Sequence, residues 1–184
     1  MIHPLWLASF YGLSEVCLLI MLRSKAGSGA ADRGTLRLIW RVIGLSVTGA
    51  VLSYIYLPVA QLHSVAIYWI GFAFYVFGLA LRWYSIVYLG RFFTVDVAVA
   101  DDHRVIDTGP YRLIRHPSYT GALLAFLGFA LCLGNVVSAL LLLAPITAVF
   151  LRRVRVEEAA LVSNLGEVYT RYMQRTYRLI PFVY

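Results

Sequence analysis

From Val42 to Leu81 the chain contains no Lys, Arg, Asp or Glu. Nothing else in the sequence constrains the fold as much, because about 20 apolar residues already span a bilayer as a helix. An uncharged turn at Gln61-Leu62-His63 divides the stretch and predicts two crossings, about Val42 to Ala60 and about Val65 to Leu89. The rest of the 184 residues agree: 61% are hydrophobic and 14% charged, where a soluble domain would carry about a quarter charged. The chain therefore reads as an all-α polytopic membrane protein, one domain over residues 1–184. Its net charge of +7 does not point to nucleic acid, since the basic residues flank apolar segments and form no single stripe. Cys17 and Cys132 lie inside apolar runs and read as free thiols. Met1-Ile2-His3-Pro4 has neither the basic region nor the cleavage site of a signal peptide.

Three further segments complete the pattern. Pro4 to about Leu22 is long enough to cross, with Glu15 its only charge. Tyr119 to Leu133 and Val136 to Leu151 form a tight apolar pair hinged at Gly134-Asn135. Each is shorter than a comfortable span, so tilting or local thinning of the bilayer is expected. The link from Arg23 to Arg41 is basic around a Gly-Ser-Gly loop. The link from Gly90 to Ser118 carries Arg91, Arg104, Arg112 and Arg115, and the tail from Arg152 reads as an amphipathic helix ending near Tyr177. Five crossings place these three basic regions on one side. The positive-inside rule then puts the N-terminus outside and the polar links in the cytoplasm. Residues 1–89 form a three-helix membrane part, and residues 90–184 hold the candidate chemistry.

That chemistry centres on Arg115-His116-Pro117-Ser118-Tyr119-Thr120-Gly121, which opens directly into an apolar run. Donors at such a place must be paired or face water. Proline pushes the residue before it out of the α region, so His116 is expected to be extended while Pro117 starts the helix. An imidazole, a serine and a tyrosine then surround one helix N-terminus, where backbone N–H groups point outward. In the tail, Arg153 and Glu157 are four residues apart and share a helical face. The short hairpin between link and tail brings these two polar halves together, which predicts one pocket on the cytoplasmic side.

The combination of Gly109-Pro110-Tyr111, Arg115-His116-Pro117-Ser118-Tyr119 and Gly121 with Glu157-Glu158, Leu161, Gly166, Tyr169, Tyr172 and Ile180-Pro181-Phe182 resembles the isoprenylcysteine carboxyl methyltransferase family. The resemblance covers about Leu89 to the C-terminus, and the chain looks like the shorter prokaryotic type. It implies S-adenosylmethionine as methyl donor and a prenylcysteine or similar lipophilic acid, met at the lipid bilayer, as acceptor. It further implies cofactor contacts from His103, Arg104, Val105, Ile106, Tyr111, His116, Pro117, Ser118, Tyr119 and Glu157, with Arg153 facing the acceptor and Arg115 also catalytic. No metal is implied. Asp96 stands where the family carries a carboxamide, a departure at that position.

Elementary chemistry agrees with these roles. A carboxylate is already ionised at neutral pH and needs no general base to attack a sulfonium methyl. The protein must align donor and acceptor, and a guanidinium can clamp a carboxylate bidentately. Blander readings stand beside the sharp ones. Arg115 could be an interfacial anchor, His116 a helix cap, Tyr169 and Tyr172 members of an aromatic belt, and Glu158 a solvated or paired neighbour. Glu15 and Arg82 lie at similar depth and could pair. A phospholipid amine methyltransferase, a methyltransferase of another lipophilic acid or phenol, a reductase-like relative and a non-catalytic scaffold are the rival functions.

Overall fold

The computed structural model describes residues 4–22, 34–62, 64–90, 93 and 105–182. Helices form where the apolar runs lie: α1 (Pro4–Leu22), α2 (Thr35–Tyr56), α3 (Val65–Leu89), α4 (Pro117–Leu133), α5 (Val136–Leu165) and α6 (Glu167–Gln174), with short 3₁₀ turns at Pro58–Ala60 and Gly109–Arg112. Among the described residues α2, α3 and α5 are long and apolar enough to cross a membrane, and α4 is a shorter apolar helix. Their outer faces expose Leu45, Phe77 and Leu140, as lipid contact requires. The chain is an integral membrane protein built of helices.

Two boundaries differ from expectation. The second segment begins at Thr35, so Arg37 and Arg41 belong to α2 and not to a loop. They sit on its exposed face while Ile39 on the other face is buried, so the charges do not oppose the helix. The fifth segment and the tail helix are one uninterrupted helix of 30 residues. No Gly or Pro lies between Leu151 and Leu165 to end it, and the break comes at Gly166, where φ is +55°. The tail helix thus ends at Leu165, and α6 follows as a separate short helix that stops at Gln174.

The α3–α4 pair forms the heart of the bundle, and small residues make it possible. A Cβ added to Gly78 would come within 2.6 Å of the Gly121 carbonyl oxygen and closer still to the Ala125 amide. On α4, a Cβ at Gly121 would lie 2.6 Å from the Arg82 amide, and one at Gly128 would strike the Tyr75 amide. In lipid, where apolar surface alone does not drive association, such close backbone packing is a main source of helix pairing. Replacing Gly78 with Val is therefore expected to cost about 3 kcal/mol or more by forcing the helices apart. Gly44, where an added methyl group would meet nothing within 4 Å, should accept Ala with little change. Thermal unfolding of the two variants in detergent checks the contrast.

The opposite end of the bundle from the polar links is closed by Asn135. Gly134 turns through φ +58°, and the Asn135 side chain caps α5 by accepting from the Ser138 amide at 2.9 Å. Its amide nitrogen donates to the Leu57 carbonyl at 3.0 Å, tying the α4–α5 turn to the end of α2. Ser138 donates to the Ala50 carbonyl at 2.7 Å and fastens α5 to α2 at the same end. This closure leaves the N-terminus of α4 and the charged extension of α5 together at the other end.

Candidate active site

Pro117 begins α4 as expected; His116 before it, at φ −123°, ψ 58°, is out of the α region but is not extended as expected. The amides that follow are less available than the sequence implies. Both Tyr119 N–H and Thr120 N–H donate to the His116 carbonyl at 3.1 Å, and proline has no N–H to offer. What the turn presents is side chains. The Tyr119 hydroxyl donates to Glu157 Oε1 at 2.5 Å, and His116 Nδ1 lies 3.7 Å from Glu157 Oε2. Arg153 Nε donates to Glu157 Oε1 at 2.9 Å, the i, i+4 pairing anticipated from spacing. The N-terminal turn of α4 and the charged extension of α5 therefore meet, as the hairpin argument expects.

The two carboxylates of α5 have different surroundings. Glu157 is partly open, with 21% of its side chain accessible. Glu158 is buried and paired three ways: with Arg115 Nε at 2.9 Å, Arg178 at 2.7 Å and His116 Nε2 at 3.3 Å. It is a structural partner and not a solvated one. Arg115 also donates to the carbonyl oxygens of Met173 (2.9 Å) and Thr176, so its guanidinium anchors the end of α6. A single parallel rung between Ile114 and Tyr177 continues that anchorage, with Arg115 N–H donating to the Tyr177 carbonyl at 2.8 Å. Thr120 then holds the Leu179 carbonyl at 2.7 Å. The C-terminal residues thus lie along the link that carries the Arg-His-Pro turn.

Tyr111 is buried beneath this assembly. Its hydroxyl donates to the Ser85 carbonyl at 3.1 Å, and its own carbonyl accepts from the Tyr172 hydroxyl at 2.7 Å. Tyr169 and Tyr172 are likewise buried, so neither is an aromatic-belt residue facing lipid headgroups. Burial pushes the phenols of Tyr111, Tyr169 and Tyr172 well up. They remain neutral hydrogen-bond donors at any physiological pH, which suits a reaction that needs no base.

Two charged groups from the membrane part also reach this end. Arg82 of α3 makes a bidentate pair with Glu15 of α1, with both N–O distances at 2.6 Å. Its NH1 donates to the Ser118 carbonyl at 3.3 Å, so the pair is tied to the first turn of α4. Val105 and Ile106 lie half-buried just before Asp107, which pairs with Arg175. His103, Arg104 and Asp96 fall outside the described residues. Sequence reasoning did not single out Thr35 or Arg178, which respectively touch Arg153 and Glu158. Thr35 lay inside the Arg23 to Arg41 link, which read as a loop, and gave no signal. Arg178 stands two residues before Ile180-Pro181 and could have been noticed there.

Among the described residues no group of His, Cys, Asp and Glu could hold a metal ion. Among the described residues Cys17 and Cys132 form no disulfide.

The family model of the isoprenylcysteine carboxyl methyltransferase family matches residues 69–163. Protein-S-isoprenylcysteine O-methyltransferase B of Arabidopsis thaliana is 30% identical over 183 residues, covering 95% of this chain and 89% of that one. The Schizosaccharomyces pombe protein-S-isoprenylcysteine O-methyltransferase is 37% identical over 112 residues, 60% of this chain and 48% of its own. The solved structure of a eukaryotic intramembrane Ras methyltransferase, an isoprenylcysteine carboxyl methyltransferase, superposes with a TM-score of 0.62 at 25% identity over 80% of this chain. The chain spans about half the length of those last two proteins, 48% and 53%. With a family model over half its residues and a relative aligned along almost the whole of both chains, the protein belongs to the isoprenylcysteine carboxyl methyltransferase family of membrane enzymes.

Proposed function

We propose that this chain transfers a methyl group from S-adenosylmethionine to the carboxylate of a prenylcysteine or similar lipophilic acceptor, at the cytoplasmic end of a five-crossing bundle. The observation that carries the reading is a buried arginine, Arg153, held beside a partly open carboxylate, Glu157, where the apolar helices end. A cationic donor and an anionic acceptor need opposite charges side by side, and these two residues supply them. The residues fit the cofactor: Glu157 matches its ammonium group, and the His116 and Tyr119 rings, 5.9 Å apart, offer faces for adenine or the sulfonium. Tyr111, Pro117, Ser118, Val105 and Ile106 would line the same pocket, with His103 and Arg104 of the preceding link. The bound cofactor supplies an activated methyl group on a positively charged sulfur.

The work left to the protein is positioning and exclusion of water. Arg153 would orient the acceptor carboxylate. Arg115 would act from behind, holding Glu158 and the C-terminal residues so that the His116 turn keeps its place. A guanidinium such as Arg153 suits an anionic acceptor, and the relatives carry the name protein-S-isoprenylcysteine O-methyltransferase. This favours the carboxylate acceptor over the phospholipid amine.

Calorimetric titration of the detergent-purified protein with S-adenosylhomocysteine should give saturable binding. Glu157→Gln should weaken it by about tenfold, the loss of one charge-assisted contact. A well-folded wild type that does not bind would overturn the choice of donor. Labelled methyl product formed on a prenylcysteine acceptor should be released by mild base, as a methyl ester is. A base-stable product would point to an amine or phenol acceptor.

A further inference from the structure

Arg153 is 1% accessible, and its position is not set by α5 alone. Its NH1 donates to the hydroxyl of Thr35 at 2.6 Å, across 118 positions of sequence. Thr35 is the first residue of α2, is itself 1% accessible, and follows Gly34 at φ +69°, so the chain enters the helix by a sharp turn. A β-branched residue in a helix has few side-chain rotamers, which gives the hydroxyl a defined direction. The middle of the buried face of α2 carries Ile39, Ser46 and Ala50, and that of α5 carries Leu142 and Ile146. Named polar contacts occur at the two ends of the α2–α5 interface: Ser138 with the Ala50 carbonyl at 2.7 Å, and Arg153 with Thr35. The register of α2 against α5 is therefore communicated to the guanidinium through this hydroxyl.

The chemistry of the contact is as informative as its geometry. Glu157 holds Nε with a negative charge, whereas Thr35 holds NH1 with a neutral oxygen. A carboxylate at that corner would cancel more of the guanidinium's charge and weaken its pull on an anionic ligand. A hydroxyl fixes direction and leaves the charge in place. We infer that Thr35 is a positioning residue for the methyl acceptor: it aims Arg153 at the acceptor carboxylate and lets the N-terminal half of the chain contribute to recognition. This rests on the reading of Arg153 as the carboxylate clamp.

The test compares Thr35→Val, which keeps the shape and removes the acceptor oxygen, with Thr35→Ser, which keeps the oxygen. Thr35→Ala serves if the valine variant does not fold. For each variant the measurements are the Kd for S-adenosylhomocysteine, kcat and KM with a prenylcysteine acceptor, and inhibition by the acceptor's uncharged carboxamide. Thr35→Val should raise the acceptor KM by about tenfold, the worth of one hydrogen bond to a charged group. The Kd for S-adenosylhomocysteine and the carboxamide inhibition constant should stay at wild-type values, and Thr35→Ser should restore KM. A merely structural role would weaken carboxylate and carboxamide alike, and that outcome overturns the inference, as does an unchanged KM in Thr35→Val. Arg153→Ala, which removes the charge and is measured in parallel, separates the two claims. If it too leaves the carboxylate-to-carboxamide preference intact, the assignment of Arg153 fails. If it collapses that preference and Thr35→Val does not, only Thr35 is wrongly placed.

Discussion

Replacing Arg153 with alanine is expected to lower the methyl-transfer rate by about a hundredfold or more while leaving the Kd for S-adenosylhomocysteine within a factor of a few. The rate falls because a misplaced acceptor loses the alignment that displacement requires. Cofactor binding survives because Glu157 keeps its other support: Tyr119 still donates to it at 2.5 Å, and its carboxylate is partly open to solvent. Thermal unfolding, measured alongside, shows whether the variant keeps its fold once the contacts to Thr35 and Glu157 are lost. Single-turnover kinetics beside calorimetry would report both quantities. Equal loss of binding and transfer would remove Arg153 from its assigned role.

Replacing Arg115 with alanine should have a different signature, with stability, cofactor binding and transfer lost together. Its guanidinium joins Glu158, the Met173 carbonyl and the Thr176 carbonyl at one point. Removing it leaves a buried carboxylate and two carbonyls short of a partner, a change worth about 3–5 kcal/mol where a buried pair is broken on one side. Arg178 and His116 still face Glu158, which places the expected loss toward the lower end of that range. Thermal unfolding should show a large downward shift, and partial proteolysis should cleave beyond Gln174 more readily, because the guanidinium's hold is gone while those of Thr120 and the Arg115 amide remain. An Arg115→Ala protein with wild-type stability and cofactor affinity but no transfer would show instead that Arg115 meets the acceptor directly.

The contrast between these two arginines bears on what could be read without a structure. Both stand in basic clusters beside an apolar run. Nothing in their sequence neighbourhoods separates a residue beside the pocket from one that ties down the C-terminal segment. Spacing was enough for the Arg153–Glu157 pair, because a helix places residues four apart on one face. It was also enough for the helix start at Pro117 and the turn at Gly134-Asn135, where backbone chemistry is local. It misplaced the end of the last long helix, because the change from apolar to charged at Leu151 looks like a boundary in composition although nothing in the backbone stops there.

Local chemistry thus determined that the chain crosses a membrane as helices and where most of them begin. Those properties depend on hydropathy, on proline and glycine, and on periodicity, all of which act over a few residues. Tertiary structure alone decided the rest. It showed Glu158 buried under three basic groups, Glu15 paired with Arg82 against the first turn of α4, and Thr35 bonded to Arg153. Each of these joins residues far apart in the chain through the α3–α4 and α2–α5 packing. Such partners are chosen by which backbones can approach closely, and in a membrane that depends on small residues scattered along two helices, whose meaning appears only when the helices are side by side.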